Sequence, residues 1–308
     1  MPDIICLGEP MAEFVRQGGR DSETYRIGIG GDTSNAAIAA ARQGASVGYL
    51  TALGADRFGD RIISMWEREG VDASRVYRDP DAQTGLYIIE PDPAERHFTY
   101  YRTGSAASRY AAEHLPEDYL AAAKILHLSG ITLAVSEPLR ATAFEAMRRV
   151  RDAGGKICLD TNLRLKLWDA ATARSVIDIA ARQATLIVTS IEDSEVLTGL
   201  SEPAAIAGHY SGLGAEMVIV TLGSEGALLT VGQTRERIRP AAATPVDSTG
   251  AGDSFTGSFL AWWLETGDPV LAAKRAAIVA AGTVSGYGAV APIPRRDEVL
   301  ETERRLVD

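Results

Sequence analysis

The segment VDSTGAGDSF, residues 246–255, sets two glycines around an alanine, immediately ahead of an aspartate and an apolar run. Gly250 and Gly252 admit backbone angles and close approaches that a β-carbon forbids. The adjoining run, SFTGSFLAWWLE, spaces Phe255, Phe259 and Trp262 along one face of a helix. A glycine turn therefore opens a helix whose first N–H groups have no partner within it, and such an end attracts anions, phosphate above all. Asp253 lies in the same turn. An acid there is either a helix cap or a base held beside a phosphate, and the segment by itself leaves both open.

The surrounding chain restricts the function classes. It has 308 residues, 46% hydrophobic and 23% charged, the profile of a globular enzyme of one large or two small domains. The formal net charge of −10, with no long basic run, excludes nucleic acid as the expected partner. No apolar run approaches the roughly 20 residues of a membrane span, and MPDIICLGEP reads as a first strand rather than a signal peptide. Cys6 and Cys158 sit in apolar strand-like runs, the setting of reduced core thiols in a cytoplasmic protein, although a bridge between them stays open. His97, His114, His127 and His209 show no metal-ligand spacing.

Strand-like runs (DIICLG, SVGYLTALG, AKILHLSG, KICLDTN, TLIVTS, MVIVTLG) alternate with amphipathic stretches at 35–42, 57–69, 137–153, 170–183 and 202–213. The alternation predicts βαβ units: a mainly parallel sheet with helices on its faces. Residues 12–29 and 75–103 break it with short strands such as GLYIIE and RHFTYYR, which predict a separate small sheet able to act as a lid. Residues 268–287 read as an alanine-rich helix, and the whole chain as one domain.

Two further glycine clusters stand out. GIGGDTSNAAIAAARQG, residues 28–44, opens a helix near Thr33–Asn35: a tight loop with a cap, or a backbone cradle in which Asn35 offers a donor and an acceptor. TLGSEGALL, 221–229, is either a hairpin turn or a ligand loop. There is no G-x-G-x-x-G after the first strand, no G-x-x-x-x-G-K-[ST] loop and no G-x-S-x-G elbow. Taken as a pair, GGDTSNAAIAAARQGASVGYLTALGADRFGD and DSTGAGDSFTGSFL resemble the two marker motifs of the ribokinase-like sugar kinases of the phosphofructokinase-B type, in order, in separation and over nearly the whole chain. The resemblance implies a three-layer α/β/α fold, a β-sheet lid and ATP-dependent phosphorylation of an alcohol. It assigns Asp253 as the base that takes the proton from the attacking hydroxyl, and Gly250, Ala251 and Gly252 as an anion hole for the transferring phosphate. Both roles suit a reaction governed by positioning and charge stabilisation. At a positive helix end the Asp253 carboxylate is expected to stay ionised.

The same resemblance implies that ATP lies along the second half of the chain, with Thr221, Gly223 and Gly226 near its phosphates or ribose and the helix around Ala281 near adenine. TSIEDSEVL, 189–197, departs from the family's N-x-x-E pattern: Ser190 replaces the asparagine and Asp193 keeps a carboxylate, which leaves an outer-shell role toward Mg2+ through water. The same acids also suit an ordinary helix start.

For the acceptor, the informative stretches are GLYIIE, HFTYYRTGSAASRY, LSGITLA and DTNLRLKLW. A neutral sugar needs no cation, whereas a sugar acid rewards arginine; Arg102 and Arg164 are either such groups or surface ion pairs. YYRTGSA, LSGIT and D-x-N-x-R-x-x-LW resemble the members of the family that act on 2-keto-3-deoxygluconate. That likeness implies that Gly31, Tyr87, Tyr100, Arg102 and Arg164 hold a sugar acid, that Asn35 shapes the pocket, and that the terminal hydroxyl is phosphorylated. Glu13, where relatives place an acid against sugar hydroxyls, and Tyr287 leave room for another sugar. The rivals are the C4 epimer of the same acid, a fructokinase or other neutral-sugar kinase, and a non-catalytic sugar-binding or scaffolding protein. Apolar lid strands (YIIE, FTYY) predict lid-to-lid pairing in a homodimer or higher homo-oligomer.

Overall fold

The computed structural model describes residues 1–18, 22–90 and 97–307. In chain order its elements are β1 (Ile4–Leu7), β2 (Met11–Arg16), β3 (Tyr25–Gly30), α1 (Asp32–Arg42), β4 (Val47–Leu50), β5 (Ala52–Gly54), α2 (Arg57–Glu69), β6 (Val71–Asp72), β7 (Tyr77–Asp79), β8 (Leu86–Glu90) and β9 (His97–Tyr101). Next come α3 (Glu117–Ala121), β10 (Ile125–Ser129), α4 (Gly130–Ala134), α5 (Glu137–Asp152), β11 (Lys156–Asp160), α6 (Ala170–Ala181), β12 (Leu186–Ser190), α7 (Ile191–Thr198), α8 (Pro203–Leu213) and β13 (Met217–Thr221). The chain closes with β14 (Ala227–Val231), β15 (Thr234–Ile238), α9 (Ala251–Thr266), α10 (Pro269–Val284) and α11 (Arg296–Val307).

Nine strands form the central sheet in the order β15-β14-β13-β12-β11-β10-β1-β4-β6. All pairs from β6 to β13 are parallel, and β14 and β15 add an antiparallel hairpin at one edge. Because helices cover both faces of the pleat, these strands read as unbroken apolar runs. Ile5 and Leu7 of β1 join Leu126 and Leu128 of β10 on one face, packed with residues of α5, α6 and α8. Ile4 and Cys6 enter the core on the opposite face with residues of α1, α2, α9 and α10. This is the three-layer α/β/α arrangement. Cys6 and Cys158 are both free and buried. His127 of β10 lies between them in register, so the bridge that the sequence left open is not formed.

Four strands form a second, smaller sheet in the order β3-β2-β8-β9, antiparallel at its two outer pairs and parallel between β2 and β8. Residues 19–21 and 91–96 of the two expected lid segments lie outside the described residues. The segment 75–103 does not belong wholly to this sheet: β7 pairs instead with β5 in a two-stranded unit. The run SVGYLTALG likewise divides at Thr51, with β4 in the central sheet and β5 leaving it to meet β7. Residues 221–229 are a hairpin turn, β13 to β14, around a short 3-10 turn at Gly223–Glu225.

Candidate active site

Strand order reverses at β1, whose neighbours are β4 on one side and β10 on the other. Open parallel sheets bind ligands outside the carboxyl ends of their strands at such a switch point. A cleft of about 1040 Å3 opens there, lined by residues that follow β1, by residues at and beyond the carboxyl ends of β11 and β12, by Thr221 at the end of β13, by the start of α9, and by the small sheet. It brings together Gly31, Tyr87, Tyr100, Arg102, Arg164, Ser190, Asp193, Thr221, Gly250, Ala251, Gly252 and Asp253. Asn35, Gly223, Gly226 and Ala281 do not line it. Gly223 sits in the β13–β14 turn, and Ala281 lies in α10. Gly226 has a backbone reason of its own: at φ +93°, a β-carbon there would stand 2.1 Å from the Ile238 carbonyl oxygen.

Asp253 is not a helix cap. Gly250 caps α9 in the left-handed region, φ 78°, and no side chain caps that end. The Asp253 Oδ2 instead accepts a hydrogen bond of 2.8 Å from Asn35 Nδ2. Asn35 stands in the first turn of α1, which begins at Asp32, slightly earlier than the sequence suggests, behind Gly31 at φ 139°. Both glycine clusters thus meet through one hydrogen bond between α1 and α9. The two helices touch backbone to backbone, since a β-carbon on Gly257 would stand 1.9 Å from the Ala36 carbonyl oxygen.

Burial pushes the Asp253 carboxyl up to about 7 from its ordinary 3.8. The neighbouring Asp32 acts in the same direction, while the Asn35 hydrogen bond and the Arg164 guanidinium oppose it. The expectation of a fully ionised carboxylate rested on the helix end alone. A helix dipole is worth about 1 kcal/mol, whereas desolvation and a like charge shift a carboxyl by several pH units, so the latter pair wins. Asp160, beneath, is held well above the usual carboxylate range by burial and by Asp253, Asp193 and Asp32. Thr256 Oγ1 donates to its Oδ2 at 3.3 Å. Asn162, the non-glycine residue with positive φ (29°) among those described, donates from Nδ2 to Asp32 Oδ2 at 3.1 Å. It ties the loop that carries Arg164 to the start of α1.

The two arginines differ. Arg164 lines the cleft with Nη1 on the Leu163 carbonyl at 2.8 Å. Arg102 also lines the cleft, but its Nε donates to Glu9 Oε2 at 2.7 Å, and Glu9 is fully buried. Nη2 touches the same oxygen as an ion contact without good hydrogen-bond geometry. Tyr87 donates to Glu13 Oε2 at 2.6 Å, and its ring lies 5.7 Å from that of Tyr100. Glu13 and the exposed Tyr287 line a separate hollow of about 350 Å3 rather than the cleft.

Ser190 Oγ accepts from the Asp193 backbone N–H at 3.0 Å and caps α7. Asp193 Oδ2 accepts from Thr161 Oγ1 and from the Leu163 N–H, each at 2.9 Å, and burial raises its carboxyl. Among the described residues no three His, Cys, Asp or Glu are grouped to hold a metal ion. Asp193 lines the cleft as a single carboxylate, a donor that would meet Mg2+ through water, as suits an ion that retains waters and phosphate ligands.

Residues 1–296 match the pfkB family carbohydrate kinases. The chain belongs to this family. It is an ATP-dependent sugar kinase. This kinase is similar to the 2-dehydro-3-deoxygluconokinase of Bacillus subtilis (strain 168), 34% identical over 307 residues, which span 96% of this chain and 94% of that one. It is also similar to a fructokinase of Salmonella typhimurium, 35% identical over 245 residues, 78% of each chain. The crystal structure of a PfkB protein from Polaromonas sp. JS666 superposes with a TM-score of 0.89 at 30% identity, covering 98% of this chain and 99% of that one. The fold is ribokinase-like.

The sequence singled out neither Glu9 nor Asp32, and gave Asp160 and Asn162 only as letters of the D-x-N-x-R-x-x-LW pattern, without a role. Asp32 directly follows the Gly30-Gly31 pair and Asn162 directly precedes the loop of Arg164, so both carried a positional signal. Glu9 carried none, because its partners lie more than 90 residues away, as the separation of 93 from Arg102 shows.

Proposed function

We propose that this kinase phosphorylates the terminal hydroxyl of 2-keto-3-deoxygluconate, giving 2-keto-3-deoxy-6-phosphogluconate. The supporting observation is a single cleft that holds Asp253, on the glycine-opened helix, together with Arg102 and Arg164. Its resemblance to the Bacillus subtilis relative, whose name denotes the same sugar acid, agrees. Mg2+-bound ATP supplies the phosphoryl group and its countercharge. Asp253, held by Asn35, takes the hydroxyl proton; a carboxyl near 7 accepts a proton readily at neutral pH. The backbone N–H groups of Gly250 and Gly252 face developing phosphate charge at the start of α9, joined by that of Ala251, which in this structure donates to the Ser248 carbonyl at 3.3 Å. Arg164, Arg102, Tyr87, Tyr100 and the Gly31 backbone bind the acid. Ser190 and Thr221 serve the nucleotide side, Asp193 serves Mg2+ through water, and Gly223, Gly226 and Ala281 lie toward ribose and adenine beyond the cleft.

A neutral-sugar kinase is the alternative, favoured by two observations: Arg102 already has a carboxylate partner in Glu9, and a fructokinase is a relative. No helix among the described residues is long and apolar enough to cross a membrane; the proposed setting is the cytoplasm. The exposed Ile27 and Tyr101 of the small sheet support its pairing in a homodimer, which light scattering checks.

The deciding experiment is a coupled ADP-release assay with Mg2+ and a panel of acceptors: 2-keto-3-deoxygluconate, its galacto epimer, fructose, ribose and gluconate, with Asp253→Asn as control. Turnover confined to the keto-deoxy acids, and lost in the variant, supports the proposal. Preference for fructose or ribose overturns the acceptor assignment.

A further inference from the structure

The chain passes between the body of the molecule and the small sheet four times: at residues 8–10, at Gly31, at Gly85 and at 102–105. One residue in the first crossing, Glu9, meets the other three, the third and fourth through its side chain and the second through its backbone carbonyl. The buried Glu9 carboxylate accepts from Arg102 Nε at 2.7 Å and from Ser105 Oγ at 2.6 Å, both in the fourth crossing. A β-carbon on Gly85, in the third, would stand 2.8 Å from Glu9 Oε1. A β-carbon on Gly31, in the second, would stand 2.9 Å from the Glu9 carbonyl oxygen. Backbone hydrogen bonds knit the same roots: Ala12 N–H to the Gly85 carbonyl at 3.0 Å and Ala106 N–H to the Gln83 carbonyl at 2.9 Å.

The cleft is two-sided. Tyr87, Tyr100 and Arg102 come from the small sheet and its exit, whereas Arg164, Ser190, Thr221 and Asp253 belong to the body. Loosening at the roots therefore displaces three of the five groups proposed to hold the acceptor and leaves those proposed for the nucleotide and for proton transfer in place. Arg102 also carries a long, flexible side chain whose ordering must be met on binding unless it is fixed beforehand. Glu9 fixes it.

We propose that Glu9 is a positioning residue that roots the small sheet on the body and presents the Arg102 guanidinium to the acceptor. The Arg102 half of this rests on the proposed function; the rooting of the small sheet does not.

The test uses Glu9→Gln, which keeps the shape and removes the charge, and Ser105→Ala, which removes the hydrogen bond to Glu9 and the one accepted from the Ser108 N–H and leaves the ion pair. In Glu9→Gln the acceptor KM is expected to rise by about tenfold, as fits replacing a charge-assisted by a neutral hydrogen bond, with the ATP KM within about twofold and kcat within about threefold. Hydrogen exchange on the ligand-free protein is expected to quicken by about tenfold at the Ala12, Ser105 and Ala106 amides and to stay at the wild-type rate within α9, since local opening is read there. Ser105→Ala shows the same pattern at about threefold, and it decides if Glu9→Gln does not fold. Root amides at the wild-type rate, equal acceleration throughout α9, or acceptor and ATP KM values rising together each overturn the proposal. If the acceptor proves to be a neutral sugar, the sugar-acid assignment fails, while the exchange pattern and the KM split measured with that sugar still decide Glu9.

Discussion

Replacing Asp32 by asparagine tests the electrostatics of the cleft directly. Asp253 sits at about 7, about 3 pH units above its ordinary 3.8. At 1.36 kcal/mol per unit, the surroundings disfavour its ionised form by about 4 kcal/mol. Burial is the larger cause and the Asp32 charge the second, so removing that charge should recover roughly one unit, the size of one nearby like charge screened by protein. The substitution keeps an amide oxygen able to accept from Asn162, so the loop that carries Arg164 stays tied. A base must be ionised to work, and kcat/KM therefore rises as pH rises through the pKa of the free enzyme. In the wild type that limb is expected near pH 7; in Asp32→Asn it should move to near pH 6. At pH 6 the ionised share of Asp253 then goes from about a tenth to about a half, roughly a fivefold gain relative to each enzyme's own plateau. The assay is initial-rate ADP release from pH 5 to 9.5, with coupling enzymes in excess. An acid limb that stays where it is, or moves to higher pH, refutes the assigned coupling between the two acids.

Three further variants probe the geometry. Asp253→Asn should lower kcat by about 100-fold to 10,000-fold, the range for losing a general base. It should also raise Tm in a pH-dependent way: a carboxyl raised in the folded state contributes stability that is complete below its ordinary 3.8 and lost as pH rises toward 7, so the variant's advantage should be absent at pH 4, grow up to pH 7 and level off above it, which scanning fluorimetry across pH checks. Gly257→Ala forces a β-carbon onto the Ala36 carbonyl and should destabilise by about 1–3 kcal/mol despite alanine's better helix propensity, measured by denaturant unfolding, with kcat falling as α1 and α9 separate. Arg164→Ala should raise the KM for a sugar acid by about tenfold or more while the ATP KM stays within about twofold, because a charge-assisted contact to the acceptor is lost and none to the nucleotide.

The sequence carried the fold because the fold rests on local and periodic signals. Two-sided apolar strands alternating with amphipathic helices leave little choice but a parallel sheet between helical layers, and Gly250 does stand in a left-handed conformation ahead of α9. The division of SVGYLTALG at Thr51 was not legible, since both halves are equally apolar and only the distant β7 draws the second half away. Most residues quoted for their chemistry converge on the cleft, whereas Gly223, Gly226 and Ala281 stay outside it and Asn35 reaches it only through Asp253. What the sequence concealed was their pairing. Arg102 reads as a sugar-acid group or a surface ion pair until the buried Glu9 is found beside it. Asp253 reads as an ionised helix-end acid until Asp32 and burial are set beside it. A charge can be read from its residue type; its neutralisation is a long-range contact, and nothing local encodes it.

The hydrogen bond between Asn35 and Asp253 joins residues 218 positions apart. During translation at roughly 5–20 residues per second, α1 therefore waits on the order of 10–40 s for the helix against which it packs. For that interval the alanine-rich face of α1 lacks its cover from α9 on the ribosome, and the residue proposed as the base has not been made. On the proposed mechanism, competence arrives only with the last quarter of the chain, so a stalled or prematurely released nascent polypeptide exposes an apolar helix face to chaperones while remaining unable to consume ATP by this route.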